Sequence, residues 1–206
     1  MSRFTVGLGR ATLADRFFPR GLATDAVLIA SGAGLTAICA QVVIPVGPIP
    51  VTAQAMAALF VGMLLGALRG AMALTLYVCM GWAGLPVFSD GGAGTERLFG
   101  PSGGYIVGFI LAAAVVGWIA ERGWDRTFPR ATVSALAGSA SIYIVGLPWH
   151  AVTGVDSYQQ TLASSLAIFV LSDVVKSVLT AIGVSACWSW ARRSEQEELK
   201  RNPAGI

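Results

Sequence analysis

The sequence predicts an all-α integral membrane protein whose chain crosses the bilayer six times. Only 12% of its 206 residues are charged and 55% are hydrophobic, whereas about 25% of the residues of soluble domains carry a charge. Long uncharged runs of this composition are typical of membrane-spanning helices. The basic residues collect between the runs, where a membrane explains them, so we expect no nucleic-acid partner.

Six apolar runs follow one another along the chain, and each is expected to form one helix. Prolines, a short Arg-Gly turn, a glycine-rich loop, a charged linker and a polar loop separate them. Runs two and three are short for a bilayer that needs about 20 residues per span, so either neighbouring helices shelter them or adjoining loops enter the membrane. The runs cover residues 25–44, 51–68, 71–85, 103–120, 131–149 and 161–191.

The distribution of positive charge predicts the orientation and the boundaries of the membrane domain. If the N-terminus is cytoplasmic, 12 of the 14 Lys and Arg residues lie on the inner side, all except Arg97 and Lys176. Because positively charged loops stay in the cytoplasm, we expect both termini there. Three parts are predicted: a basic lead-in at residues 1–24, a six-helix membrane domain at 25–191 and a charged tail at 192–206.

A glycine-rich stretch at residues 81–105 joins the third run to the fourth. It carries large rings, among them Trp82, Phe88 and Tyr105, which a flexible tether of Gly and Ser lacks. Two interpretations stay open. The stretch is either a folded lid or pocket wall, since long ordered loops are frequently functional, or an ordinary connector between helices.

Two charged residues, Asp173 and Lys176, lie inside the sixth apolar run. A spacing of three residues places them on one helical face, and charges in a bilayer are costly unless they are paired or face water. They are either part of a ligand site or an ion pair that only fixes packing. Gln54, near the start of the second run, either adds a polar group to such a site or only faces a loop, with Thr52 capping the N-terminus of the helix.

Other chemistries have little support in the sequence. It holds no nucleotide-binding loop and no paired-histidine motif, so we expect that this chain neither hydrolyses ATP nor binds a metal at His150, its single histidine. Small residues in the first run, Ala26, Ala30, Ala33 and Ala37, recur at a spacing that lets another helix approach closely. That helix belongs either to this chain or to another protein.

Five motifs occur in a fixed order along residues 25–190. They read Ile-Pro-Val-Gly-Pro-Ile-Pro-Val-Thr-x-Gln at 44–54, Gly-Leu-Pro-Val-Phe at 84–88, Gly-Pro-Ser-Gly-Gly-Tyr at 100–105, Gly-x-Pro-Trp at 146–149 and Asp-x-x-Lys at 173–176. In this order they resemble the BioY family, the substrate-binding (S) components of energy-coupling factor (ECF) biotin transporters. The resemblance implies a six-helix S-component fold in the bacterial cytoplasmic membrane, a T-component membrane partner and two cytoplasmic ATPases. Biotin is then the transported ligand, bound near the outer face, and no cofactor is expected.

The resemblance also implies roles for individual residues. Asp173 and Lys176 contact biotin, the loop with Gly91, Gly92, Gly94 and Tyr105 closes over it, and the alanines of the first run meet the T-component. Two departures stand out. An Asn that some members carry in the loop corresponds here to Gly92, and an Arg that follows the Gly-Gly-Tyr corresponds to Ile106. Arg97 is then the available cation for the carboxylate of biotin on that face.

The chemistry of biotin fits these residues. Its ureido group has two N–H donors and a carbonyl acceptor, which match a carboxylate and an ammonium. Rings could pack its apolar parts, although each ring is otherwise an interface anchor. The alternatives are a stand-alone facilitator and a small intramembrane enzyme with Asp173 and Lys176 as acid and base. Because the sequence shows no nucleophile beside a base, we expect no enzyme. The predicted biotin-binding set is Asp173, Lys176, Gly91, Gly92, Gly94, Tyr105, Phe88, Trp82, Gln54, Tyr143, Trp149 and Arg97.

Overall fold

The computed structural model of the protein describes residues 12–44, 51–153 and 158–201, with the side chains of 51, 158–169 and 198–201 left aside. Most of the proline motif, much of the lead-in, part of the loop after the fifth run and the last residues of the tail lie outside these ranges. The elements are α1 (Leu13–Phe17), α2 (Leu22–Ala40), β1 (Val43–Ile44), β2 (Val51–Thr52), α3 (Gln54–Leu65), α4 (Ala67–Trp82), α5 (Gly94–Phe99), α6 (Gly103–Ala120), α7 (Phe128–Thr153) and α8 (Tyr158–Arg201).

Each of the six apolar runs contains one helix, so the predicted all-α class is confirmed. Among the described residues, four helices are long and apolar enough to cross a membrane: α2, α6, α7 and residues 170–197 of α8. Helix α3 is apolar but has only 12 residues, and most of its side chains are buried. Helix α8 continues past residue 192 to Arg201, because good helix formers occupy that stretch and the first proline is Pro203.

A short hairpin, which the sequence analysis did not predict, follows α2. Strands β1 and β2 pair antiparallel, with Val43 opposite Thr52 and Ile44 opposite Val51. Residues with branched β-carbons favour strands, and here they flank the prolines of the motif. The hairpin places Thr52 two residues before the start of α3.

Helix α6 lies at the centre of the bundle and packs against α3, α4 and α7. Glycines allow the close approach. A Cβ at Gly117 would lie 2.4 Å from the backbone nitrogen of Ala67, and one at Gly108 would lie 2.8 Å from the carbonyl oxygen of Ile142. Helix α6 is apolar on all sides, as expected of a helix surrounded by other helices or lipid. The core therefore forms around α6, with α8 packed on α7 and α3.

Polar contacts join the elements at the end of the bundle where α6 finishes and α7 begins. The Nε1 of Trp188 donates to Oδ2 of Asp125 at 2.6 Å, and burial raises the pKa of that carboxyl group. Arg69 forms ion pairs of 2.7 Å with both Asp15 and Asp25. Burial opposes the ionisation of Asp15, but hydrogen bonds from Arg20 and Arg69 outweigh it and lower the pKa to about 2. The first contact holds α8 to the linker after α6, and the ion pairs hold α1 and α2 to α4.

Candidate ligand-binding site

Asp173 lies on the buried face of α8, between the polar side chains of two other residues. Its Oδ2 accepts a hydrogen bond from the hydroxyl of Tyr143 on α7, and its Oδ1 lies 3.5 Å from Nζ of Lys176. Both charged side chains are nearly buried, with 11% and 13% of their surfaces exposed. A distance of 3.5 Å is long for a hydrogen bond, so the ammonium group keeps donor capacity for a further partner.

An aromatic wall lies beside this pair. The ring of Tyr105 on α6 meets that of Tyr143 edge to face, with centroids 6.2 Å apart and an angle of 87°. The ring of Tyr105 also lies near that of His150, with centroids 6.5 Å apart. The ring fits only because residue 146 is glycine, since a Cβ there would lie 2.5 Å from Cδ1 of Tyr105. Helices α6 and α7 thus build the wall next to Asp173.

A pocket of about 450 Å³ opens between the hairpin, the start of α3 and α8. This volume falls in the range of sites for small organic ligands, about 300 to 1,000 Å³. Its polar side chains are Thr52, Ser172 and Lys176, so one member of the charged pair lines it. The remaining lining is apolar and consists of Val42, Ile44, Ala53, Met56, Leu171, Val175 and Leu179.

A chain of hydrogen bonds leads from this pocket to the glycine-rich loop. The hydroxyl of Thr52 lies 3.4 Å from Oε1 of Gln54, and Nε2 of Gln54 donates to the hydroxyl of Tyr77. That hydroxyl donates to the carbonyl of Val87 at 3.1 Å. Phe88 is fully buried and packs edge to face on Tyr77, 5.5 Å between centroids. The start of the loop is therefore connected to the pocket through buried side chains.

The glycine-rich loop is folded against the protein. The side chain of Gln41, at the end of α2, donates to the carbonyl of Phe88 and accepts from the amide of Gly91, both at 3.1 Å. Arg97 donates to Oγ of Ser89 at 2.8 Å, while its buried Nε has no hydrogen-bond partner among the described residues. The geometry excludes a plain tether, but it fits a pocket wall and a rigid connector equally well.

The structure distributes the other predicted site residues along the same end of the bundle. Trp149 donates through Nε1 to the carbonyl of Gly100 at 3.1 Å. Gly92 lies against Arg97, and Gly94 begins α5 with a positive φ of 78°. Trp82, at the end of α4, is 56% exposed and is therefore open to the surroundings.

Sequence reasoning missed Tyr77, Gln41 and the role of Tyr143 as the partner of Asp173. A tyrosine in an apolar run has no signal that separates a hydrogen-bonding role from an interface anchor. Gln41 lies three residues before the first motif, which is the only hint of its role. His150 is buried, and its Nδ1 lies 3.2 Å from the carbonyl oxygen of Pro101.

The four small residues of α2 do not share one surface. Ala26 and Ala30 are exposed, whereas Ala33 is fully buried and Ala37 packs partly buried against the core. The neighbouring Gly32 shows what the inner face meets, because a Cβ there would lie 2.9 Å from Val61 of α3 and 3.0 Å from Ala73 of α4. Of the four alanines, Ala26 and Ala30 are therefore the two that another helix could reach.

Comparisons with known proteins find related sequences and a similar fold. The chain is 30% identical to the biotin transporter BioY2 of Lactococcus lactis over 75% of this chain and 85% of that protein. It is 34% identical to the biotin transporter BioY of Thermotoga maritima over 72% of this chain and 86% of that protein. A solved S-component for biotin from an ECF-type ABC transporter superposes with a TM-score of 0.70 at 25% identity, covering 80% of this chain and 90% of the other. The model of the BioY family matches residues 10–193, and the chain belongs to the BioY family.

Proposed function

We propose that this protein is the biotin-binding S component of an ECF-type vitamin uptake transporter, which captures biotin on the outer face for import by partner subunits. Family membership and relatives named as biotin transporters support the ligand. The observation that carries the proposal is the pair of Asp173 and Lys176, nearly buried beside a pocket large enough for a vitamin.

The pair offers the complement of a ureido group. A carboxylate accepts about four hydrogen bonds, so Asp173 can receive ligand N–H groups in addition to the Tyr143 hydroxyl. Lys176 has donors left for the ureido carbonyl. The apolar lining suits the thioether ring and the valeryl chain.

The biotin carboxylate needs a separate partner in this proposal. The Asn and Arg that some family members carry are replaced by Gly92 and Ile106. Arg97 is suitable because its Nε is a buried donor without a partner among the described residues. Its Nη2 already binds Ser89, which holds the guanidinium in place beside the loop.

We place six spans in the bacterial cytoplasmic membrane, with a lead-in at 1–24, a membrane domain at 25–191 and a tail at 192–206, both termini cytoplasmic. The asymmetry of basic residues supports this orientation. The short helix α3 can lie at membrane depth because its neighbours bury most of its side chains and thus shelter its ends.

The partners in this proposal are a T-component and two cytoplasmic ATPases, which supply the energy. The exposed Ala26 and Ala30 suit a closely approaching helix. Replacing Ala30 with tryptophan should block that approach and reduce co-purification of the T-component without reducing biotin binding. Ala140 is an exposed alanine of α7, and its change to tryptophan is the matched control.

Biotin binding to the purified protein in detergent tests the ligand and the site together. Asp173→Asn and Lys176→Ala should each lower the affinity ten-fold or more, since removing one partner of a desolvated charge pair costs on the order of 2–5 kcal/mol. Glu195→Gln changes a carboxylate that pairs with Arg16 at the far end of α8 and should bind as wild type does.

Two outcomes would contradict the proposal in different ways. Wild-type affinity in both site variants would refute the assigned site, and absence of binding in the wild type would refute the ligand. Uptake by the reconstituted chain without ATPases would identify a stand-alone facilitator instead, and recovery of a chemically altered substrate would identify an enzyme.

A further inference from the structure

A second groove lies at the other end of α6, where α6 finishes and α7 begins. It has a volume of about 310 Å³ and is separate from the ligand site, because the 13 residues from Tyr105 to Trp118 span about 20 Å at the helical rise of 1.5 Å per residue. It is lined by Trp118, Ile119, Arg122, Trp124, Val133, Ser134 and Ala137.

The walls of this groove are apolar and open to the surroundings. Trp118, Trp124 and Val133 are 53%, 44% and 54% exposed. The hydroxyl of Ser134, the polar uncharged side chain of the lining, already donates to the carbonyl of Arg130 at 2.8 Å. The groove adjoins the ends of two membrane-spanning helices, and tryptophan is enriched at the depth of lipid headgroups. Its surface therefore suits an acyl chain near the membrane interface.

Two arginines stand at the rim. The guanidinium of Arg122 lies 3.3 Å above the ring of Trp118 and donates to the carbonyl of that residue at 2.6 Å, so its position is fixed. The guanidinium of Arg130 lies 6.0 Å from the ring of Trp124. Neither arginine has an ion-pair partner in the part of the chain that the structure describes.

The acidic residues of the same linker do not compensate these charges. Glu121 accepts from the backbone nitrogen of Ala67 at the start of α4, at 2.9 Å. Asp125 is 1% exposed and accepts from Trp188 of α8. Both carboxylates thus turn inward, and the rim of the groove keeps its positive charge.

We propose that this groove binds a phospholipid with an anionic headgroup. One acyl chain lies along Trp118, Trp124 and Val133, and the phosphate is paired by Arg122 and Arg130. Charge complementarity selects the headgroup, because two guanidinium groups match phosphate oxygens, and basic pockets beside membrane helices bind anionic lipids. The orientation proposed above would place this lipid in the cytoplasmic leaflet.

Native mass spectrometry of the protein in detergent with equal amounts of phosphatidylglycerol and phosphatidylcholine tests this site. The wild type should retain one phosphatidylglycerol in preference to phosphatidylcholine. The double variant Arg122→Gln, Arg130→Gln should lose that preference by about 25-fold, since each arginine near an anionic lipid accounts for about five-fold. Retention of phosphatidylcholine should not change.

Arg193→Gln is the matched control, because it removes the same charge from an exposed position of α8 away from the groove. It should retain phosphatidylglycerol like the wild type, and biotin binding should be the same in every variant, which separates this test from that of the proposed function. Equal retention in the double variant, or equal loss in the control, would overturn the proposal. So would displacement of the lipid by millimolar inorganic phosphate, or a wild-type dimer that the double variant abolishes.

Discussion

Replacing Gly146 with alanine tests whether the packing of α6 against α7 sets the geometry of the ligand site. The new Cβ would lie 2.5 and 2.6 Å from Cδ1 and Cε1 of Tyr105, whereas ordinary contacts between carbon atoms are about 3.5–4.0 Å. The ring of Tyr105 must therefore move by about 1 Å, away from its edge-to-face contact with Tyr143.

The expected magnitude follows from the cost of overpacking, about 1–3 kcal/mol. If biotin requires the ring in its native position, the same free energy lowers the affinity by about 5- to 150-fold. Isothermal titration calorimetry of the purified variant measures the affinity, and its thermal unfolding midpoint reports the loss of stability. Gly34→Ala is the control because no atom lies within 4 Å of its Cβ.

A second variant separates stability from binding. Combining Gly146→Ala with Tyr105→Leu removes the clash, so the unfolding midpoint should recover while the affinity for biotin stays low. The reasoning is refuted if the folded Gly146→Ala variant binds biotin as tightly as the wild type. It also fails if the double variant recovers both properties, because the ring of Tyr105 would then have no role in the site.

Three further predictions concern buried polar groups, each checked by thermal unfolding in detergent. The pKa of Asp15 is lowered to about 2, so Asp15 should add on the order of 2 kcal/mol to the free energy of unfolding above about pH 4, and this contribution should be lost as the pH falls towards 2. An Asp15→Asn variant whose stability falls in acid just as that of the wild type does would contradict this. Burial raises the pKa of Asp125, so stability declines as the pH rises through that pKa, and Asp125→Asn should unfold at a higher temperature at neutral pH, not at an equal or lower one. Tyr77→Phe removes the partner of Gln54 and should cost about 1–3 kcal/mol; a wild-type midpoint would exclude that role.

The helices were predictable because each is a local property of the chain. The predicted run at 103–120 is α6 itself, and the other runs differ from their helices mainly at the ends. The spacing of Asp173 and Lys176 likewise implied their contact, since three residues make less than one helical turn. The hairpin was not predictable, because its pairing joins Val43 to Thr52 across the proline motif.

The long-range partners of the site residues could not be predicted from the sequence. Tyr143 reaches Asp173 over 30 positions of the chain, and Gln54 reaches Tyr77 over 23. Nothing in the local composition distinguishes these tyrosines from others in the apolar runs. The same holds for α2, where only the fold separates the exposed Ala30 from the buried Ala33.

The sequence by itself determined the class of the protein, the order of its helices and the charged pair on α8, because apolar length, charge and helical spacing act over a few neighbouring residues. The tertiary structure alone decided which side chains surround that pair and which surfaces stay open. The physical reason is the close approach of helices at glycines such as Gly108 and Gly146, which brings distant segments within hydrogen-bonding and van der Waals distance.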